Sequence, residues 1–339
     1  MARIVDEALE NPETVSFDDV ACAMQQDENA ARVILDYFSE VAEPLDTTPS
    51  KDSDMMTMEE HAESDEDKGY GGSYEYDIQT GEERYVKDYI EPSDDGEARQ
   101  VEPILIGDTE KEPAVARGWE TEIIFPQNDS KTKTIFKLFV RRQSDGKMFA
   151  GSAFAITSKY LGTAGHCLFN ISNAEDSLKG WAGSILCVPA YRIDNNGNEV
   201  YPYGESYQVA SRMFAHEYWR HNSDYNYDYG VLELKNPISI GAMGFRQVDN
   251  SIMGSNVYFA GYPSDGGNMK RMYSSIGGCT DYLFSVLQES YKGQSGGPVW
   301  DTNGYIIGII SQGDNESTHC VKFTSDVFAK FSYYRHLED

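Results

Sequence analysis

Apolar residues are spaced in two different ways along this chain. Between residues 16 and 42, Ala30, Val33, Ile34, Tyr37, Phe38 and Val41 recur at intervals of three and four, which predicts one apolar face of a helix. Ser16 opens a Ser-x-x-Asp pattern with Asp19, close to a capping box. Residues 43–100 lose this hydrophobicity. Runs such as Asp52-Ser53-Asp54 and Glu63-Ser64-Asp65-Glu66-Asp67 take over. So polar a stretch buries too little apolar surface to offset chain entropy, and it reads as a flexible or weakly ordered segment. The tyrosines from Tyr70 to Tyr89 pull the other way, as side chains able to dock on a partner surface.

From about residue 101 the pattern changes to short β-branched and aromatic runs bounded by turn residues. Ile135–Val140, Ser152–Ile156, Tyr229–Leu234, Val257–Ala260 and Tyr305–Ile310 are expected strands. Asn196-Gly197 and Asn303-Gly304 are turn signals, and the second predicts a hairpin joining Val299-Trp300 to Tyr305–Ile310. There is no alternation of strand and helix and no internal repeat. A mainly β fold, barrel or sandwich, follows rather than an α/β one.

Charge sharpens the division. The chain of 339 residues carries a net charge of -28, of which about -22 falls in residues 1–100 and about -6 in residues 101–339. We expect an acidic N-terminal segment over 1–100 and a folded domain over 101–339. The acidic excess repels phosphates and argues against nucleic-acid binding. No run of about 18 apolar residues is present, so no membrane span is expected. Residues 1–10 hold several charges and no apolar stretch of the kind a secretory leader needs. Five cysteines, Cys22, Cys167, Cys187, Cys279 and Cys320, leave two disulfides among the last four and an all-reduced chain equally open.

Three segments carry chemistry. They are Thr163-Ala164-Gly165-His166-Cys167, then Tyr227-Asp228-Tyr229-Gly230, then Gly293-Gln294-Ser295-Gly296-Gly297-Pro298. Each alone has a plain structural reading: a surface histidine, a turn aspartate, a tight turn. In this order they supply a nucleophile, a base and an orienting acid. A serine hydroxyl is a weak nucleophile near neutral pH and needs a neighbouring imidazole. The imidazole needs a carboxylate that orients it and stabilises its charged form. Glycines around Ser295 permit a turn whose N–H groups, those of Gly293 and Ser295, converge where an oxyanion develops. Asp224 rivals Asp228, which is preferred because an apolar strand follows it directly. The Gly-x-Ser-x-Gly spacing also marks the nucleophile turn of α/β-hydrolase esterases. Those enzymes place the histidine last, and the strand–helix alternation they need is missing. His216-Glu217-x-x-x-His221 misses a helical zinc motif because its histidines are five apart, not four. No metal or cofactor is called for. Asn128, Asn170 and Asn315 sit in Asn-x-Ser sequons, which matter only in a secreted chain.

Over roughly residues 101–335 the sequence resembles the trypsin-like serine proteases, and within them the bacterial glutamyl endopeptidase branch. The resemblance rests on Thr163–Cys167, Tyr201-Pro202-Tyr203-Gly204, Asn226–Gly230, Gly261-Tyr262-Pro263 and Gly293–Val299. Glutamine before the serine is typical of that branch. The resemblance implies two six-stranded antiparallel β-barrels with a triad of His166, Asp228 and Ser295 in the cleft between them. It implies hydrolysis of protein or peptide substrates through an acyl-enzyme. Ser311-Gln312-Gly313 matches the segment on which relatives pair extended substrate. The wall of the pocket for the residue before the scissile bond falls on Glu289, Ser290, Tyr291 and Lys292.

Two departures stand out. Ser290 keeps a hydroxyl found in glutamate-specific relatives, but Ile310 stands where they carry a histidine. Lys292 and Lys322 are then the candidate positive charges, with Glu289 able to cancel Lys322 or to attract a basic residue. The strand around Ser152 lacks the cysteine that pairs with Cys167 in many relatives, so Cys167 either pairs elsewhere, with Cys187 the nearest candidate, or stays free. Ile104-Leu105-Ile106-Gly107-Asp108 resembles the start of mature relatives, so cleavage by an activating protease, for instance after Arg99, is expected to free an acidic prosegment. A permanent partner-binding domain, and a protease-like protein used only for binding, are the other readings. The family is typically secreted, but no leader is visible in this chain.

Overall fold

A computed structural model describes residues 42–44, 72–87, 99–106, 118–171, 179–203, 208–265, 267–314 and 316–337. Five short strands come first: β1 (Glu43–Pro44), β2 (Gly72–Asp77), β3 (Glu83–Lys87), β4 (Gln100–Val101) and β5 (Trp119–Ile123). The next stretch holds β6 (Ile135–Arg142), β7 (Met148–Ala155), β8 (Tyr160–Thr163), β9 (Phe169–Asn170), β10 (Gly180–Pro189), β11 (Arg192–Ile193), β12 (Glu199–Val200), β13 (Gln208–His216), helix α1 (Glu217–Asn222) and β14 (Gly230–Leu234). Then come β15 (Phe245–Arg246), β16 (Asn256–Gly261), β17 (Met269–Cys279), β18 (Leu283–Val286), β19 (Pro298–Asp301), β20 (Ile306–Gly313), β21 (Thr318–Lys322) and helix α2 (Ser325–His336).

The strands close into two six-stranded antiparallel barrels. The first runs β13-β14-β8-β7-β6-β10 and is sealed by pairing of Leu186 and Cys187 on β10 with Val209 and Gln208 on β13. The second runs β16-β17-β18-β21-β20-β19 and is sealed by β19 against β16. Closure removes the open sheet edges that short strands would otherwise expose. Each of the five expected strands overlaps an observed one, with Ile156, Tyr229 and Tyr305 lying one residue outside β7, β14 and β20, and Asn303-Gly304 turns β19 into β20 as expected. Asn196-Gly197 turns β11 into β12, with Gly197 at φ +81°.

Strands β6 and β7 are buried almost throughout rather than on alternate faces. The barrel interior covers one face, and other parts of the chain cover the other. Helix α2 is one such cover. Phe331 stacks on Phe154 of the first barrel and packs against Phe323, which follows the second. Tyr334 meets Tyr160 and Phe214. Each large apolar side chain buried this way contributes roughly 1.5–3 kcal/mol.

The segment over 72–87 is not weakly ordered. Its two strands form a hairpin whose β2 adds antiparallel to β13, from Arg212 opposite Asp77 to His216 opposite Ser73. Acidic composition hid this because the partners lie far away in sequence. The buried Glu75 carboxylate lies between Arg84 and Arg212, and Arg212 also pairs with the buried Glu233. Paired across strands, these charges are compatible with burial. The aromatic positions dock on the first barrel: Tyr76 stacks on Trp181 with ring centroids 5.3 Å apart. The expected helix over 16–42 lies, apart from Ala42, outside the described residues. No helix among the described residues is long and apolar enough to cross a membrane.

Candidate active site

Strand β8 ends at Thr163, and a single 3₁₀ turn, Gly165–Cys167, presents His166. Gly165 is required by crowding, since a Cβ there would sit 2.9 Å from the Trp219 ring. Asp228 lies between a 3₁₀ turn, Tyr225–Tyr227, and β14. Its carboxylate is fully buried and accepts two hydrogen bonds from His166, one from the backbone N–H and one from Nδ1, both at 2.8 Å. Ser311 donates its hydroxyl to the same carboxylate. Asp224, the rival, instead accepts from Asn226 N–H at 3.0 Å and caps its own turn. Burial disfavours a charged His166 ring, and the Asp228 carboxylate overrides that, holding its pKa above the ordinary imidazole range.

Ser295 comes from the second barrel, on the turn between β18 and β19. Gly293 and Gly296 there have φ of +93° and +85°. A Cβ at Gly296 would lie 2.1 Å from the Ser152 carbonyl, so only glycine fits. Groups of Ser152 and Ser264 from elsewhere, and the turn's own Gln294, hold it in place. Ser152 Oγ donates to Gly293 O at 3.0 Å and accepts from Tyr262 N–H at 2.8 Å, while Ser152 N–H donates to Ser295 O at 2.8 Å. Gln294 is buried. Its Oε1 accepts from Tyr291 N–H at 2.8 Å and its Nε2 donates to Lys270 O at 2.9 Å. Ser264 N–H donates to Lys292 O at 2.8 Å and so fixes the peptide that precedes Gly293. Among the described residues, neither Gly293 N–H nor Ser295 N–H has an acceptor. Ser295 Oγ donates to Ser311 O at 3.2 Å, and the buried Nε2 of His166 has no partner.

The pocket residues separate into two groups. Ser290 and Gly313 face each other, for a Cβ at Gly313 would lie 3.2 Å from Ser290 Oγ. Ile310 is buried, and its backbone holds the turn by accepting from Gly296 N–H and donating to Gly297 O. Glu289 and Lys292 are exposed. Lys322 supplies no charge to the pocket and does not pair with Glu289. It is 2% exposed and donates to Asn250 Oδ1 and Thr280 O, both at 2.6 Å. Of the two cysteine states left open, the described residues show the reduced one: Cys167, Cys187, Cys279 and Cys320 are free thiols. Cys167 faces Gly151, the place where a partner cysteine would have to stand.

Residues 126–337 match the family model described as Trypsin. The chain belongs to the trypsin family. Glutamyl endopeptidase from Bacillus licheniformis is 32% identical over 154 residues, which cover 44% of this chain and 45% of that protein, so the match spans less than half of that relative. Among solved structures, a Glu endopeptidase in complex with MPD superposes with a TM-score of 0.53 at 18% identity, covering 65% of this chain and 96% of its own. The protease Anisep from Arthrobacter nicotinovorans gives 0.50 at 20% identity, covering 63% and 98%. These two likenesses establish the shared fold.

In this trypsin-family chain the sequence pointed to His166, Asp228, Ser295, Gly293, Ser290 and Gly313, of which the fold hydrogen-bonds His166 to Asp228, holds Gly293 and Ser295 on one turn and sets Ser290 against Gly313. It did not point to Ser152 or Ser264, nor to the link from Ser311 to Asp228. A lone serine inside the apolar run Met148–Ala155 was the available signal for Ser152. His216 stacks on Tyr227 at 4.4 Å, and His221 stands edge-on to Tyr74.

Proposed function

We propose that this chain is a serine endopeptidase that works through an acyl-enzyme. Ser295 Oγ attacks the substrate carbonyl as His166 Nε2 takes its proton, and the same nitrogen later protonates the leaving amine. Asp228 fixes the ring through Nδ1 and offsets its charge. Gly293 and Ser295 N–H groups receive the oxyanion, a contribution on the order of 3 kcal/mol per donor. Extended substrate lies along Ser311–Gly313. One observation carries the reading: a buried His166–Asp228 pair leaves Nε2 unpartnered beside a serine whose turn also leaves two N–H groups unpartnered. In the resting site Ser295 Oγ is turned to Ser311 O, and rotation about its side-chain bond redirects it to His166.

The pocket before the scissile bond is not built for glutamate. Ile310 is apolar and Lys322 is spent on Asn250 and Thr280, so Ser290 is the polar group facing it. Residues 101–339 form the enzyme, and the acidic N-terminal region acts as a prosegment. Cleavage after Arg99 has to release β4 from β15 and Arg99 O from Gln247 N–H. The hairpin β2–β3 stays behind on β13 by its backbone pairing.

The test is digestion of a diverse peptide mixture read by mass spectrometry, with Ser295→Ala alongside. The variant loses about 10⁴–10⁶-fold in rate, and cut sites do not concentrate after glutamate. Equal cleavage by both proteins contradicts the assignment. Glu289→Ala shifts the preferred residue, and an unchanged cut-site pattern excludes Glu289 from the pocket.

A further inference from the structure

Strand β7 pairs with β6 along its length, but with β8 only at Phe154 and Ala155. Its stretch from Met148 to Ser152 therefore has a second edge. Ser152 N–H points to that edge, where it donates to Ser295 O. Alternate residues of a strand direct their N–H groups to the same side, so Ala150 N–H also points there. Ala150 lies two residues, about 7 Å, from Ser152. A cleft running from His166 across β7, β6 and β10 is lined by Phe149, His166, Cys167, Leu168, Trp181 and Arg142.

On the reading above, this cleft is where the leaving half of a substrate must lie, because His166 gives its proton to the departing amine. The departing chain runs, from its amine to its carboxyl end, away from Ser295. Strand β7 runs the opposite way, from Phe149 toward Ser152. A productive substrate is thus antiparallel to β7 here.

The protein's own N-terminal region already occupies this edge. Glu43 pairs with Phe149 and Pro44 with Ala150, in parallel, and Ala42 packs on the hydrophobic core. Its polarity is the reverse of a substrate's. We propose that residues 42–44 form an autoinhibitory strand that blocks the leaving-group side of the cleft without offering a cleavable bond. This inference rests on the protease reading and specifies how its prosegment acts: by steric occupation, with the Ser295 turn already held in the uncleaved chain by Gln294 and Ser152.

The discriminating experiment compares the full chain with Ala42→Asp, which sets a charge into the apolar contact that Ala42 makes just before β1. A fluorophosphonate probe reports on Ser295. A peptidyl-coumarin tests cleavage with almost no leaving-side residues, and a longer peptide reaches both sides. Both proteins label at Ser295 and cleave the coumarin substrate equally. Ala42→Asp cleaves the long peptide about tenfold faster, as expected if nine-tenths of the wild-type clefts are occupied. A synthetic peptide spanning residues 38–48 returns that rate toward wild type. Labelling with equal rates on the long peptide overturns the autoinhibitory strand alone. No labelling and no coumarin cleavage by either protein overturns the protease reading on which it rests.

Discussion

His166 and Asp228 come from the first barrel, and what joins them is a side-chain hydrogen bond of 2.8 Å inside a buried site. Ser295 comes from the second barrel, where what matters is the path of the backbone: two glycines at positive φ and a turn pinned from outside by Ser152 and Ser264 and from within by Gln294. The two halves of the cleft should therefore fail differently. A change in the first half alters charge and proton transfer and leaves the fold intact. A change in the second half moves N–H groups by fractions of an ångström and is felt in geometry.

The largest expected effect tests the first half. Asp228→Asn lowers kcat about 10⁴-fold, since the imidazole loses its orienting acceptor and its counter-charge. It also moves the pH profile. The carboxylate raises the pKa of His166, and attack needs the neutral ring, so the wild-type rate climbs on the alkaline side of the ordinary imidazole range. Without that charge, burial dominates and the ascending limb shifts to lower pH. A profile that stays in place shows that another group sets it.

Next is Ser152→Ala, which probes the second half. It removes the donor to Gly293 O and the acceptor for Tyr262 N–H. Stability falls by about 1–3 kcal/mol for the buried groups left unpaired. The rate falls by up to about 10²-fold through misplacement, and the pH profile stays where it was. A shifted profile would erase the contrast between the halves.

Two further effects concern stability alone. Burial, aided by Lys330, pushes His216 down to about 3, below its unfolded value. The unfolded chain then binds more protons, so stability is full above about pH 6.5 and is lost as pH falls toward 3. His216→Asn keeps an acceptor for Tyr218 N–H and flattens that loss by on the order of 3 kcal/mol in acid melts. The smallest effect is at Lys137, fully buried beneath the Tyr191 ring at 4.1 Å and lowered to about 8 by desolvation. Stability rises with pH between about 8 and 10.5 while the unfolded lysine still holds its proton. Lys137→Met abolishes that rise and stabilises the protein at neutral pH by about 2 kcal/mol.

The same contrast explains what was legible in the sequence. The nucleophile turn, the histidine segment and the Asn303-Gly304 hairpin are local, since each depends on residues adjacent in the chain. The β2–β3 hairpin was not legible. Glu75 is an acidic residue in an acidic segment until Arg212, far along the chain, is placed beside it. The free state of Cys167 and the idle charge of Lys322 are likewise set by long-range neighbours, Gly151 for one and Asn250 with Thr280 for the other. The choice of Asp228 over Asp224 was legible, because the strand that follows Asp228 is written in the adjacent residues.

The central claim is that Ser295 carries the acyl group and His166 drives its transfer. Intact-mass measurement after rapid quench of a reaction with an activated ester substrate tests it most directly. The account predicts a transient mass increase equal to the acyl group, mapped to Ser295 in the wild-type chain and lost in His166→Ala. An acyl group mapped to any other residue, or its persistence at full amount in His166→Ala, would contradict it.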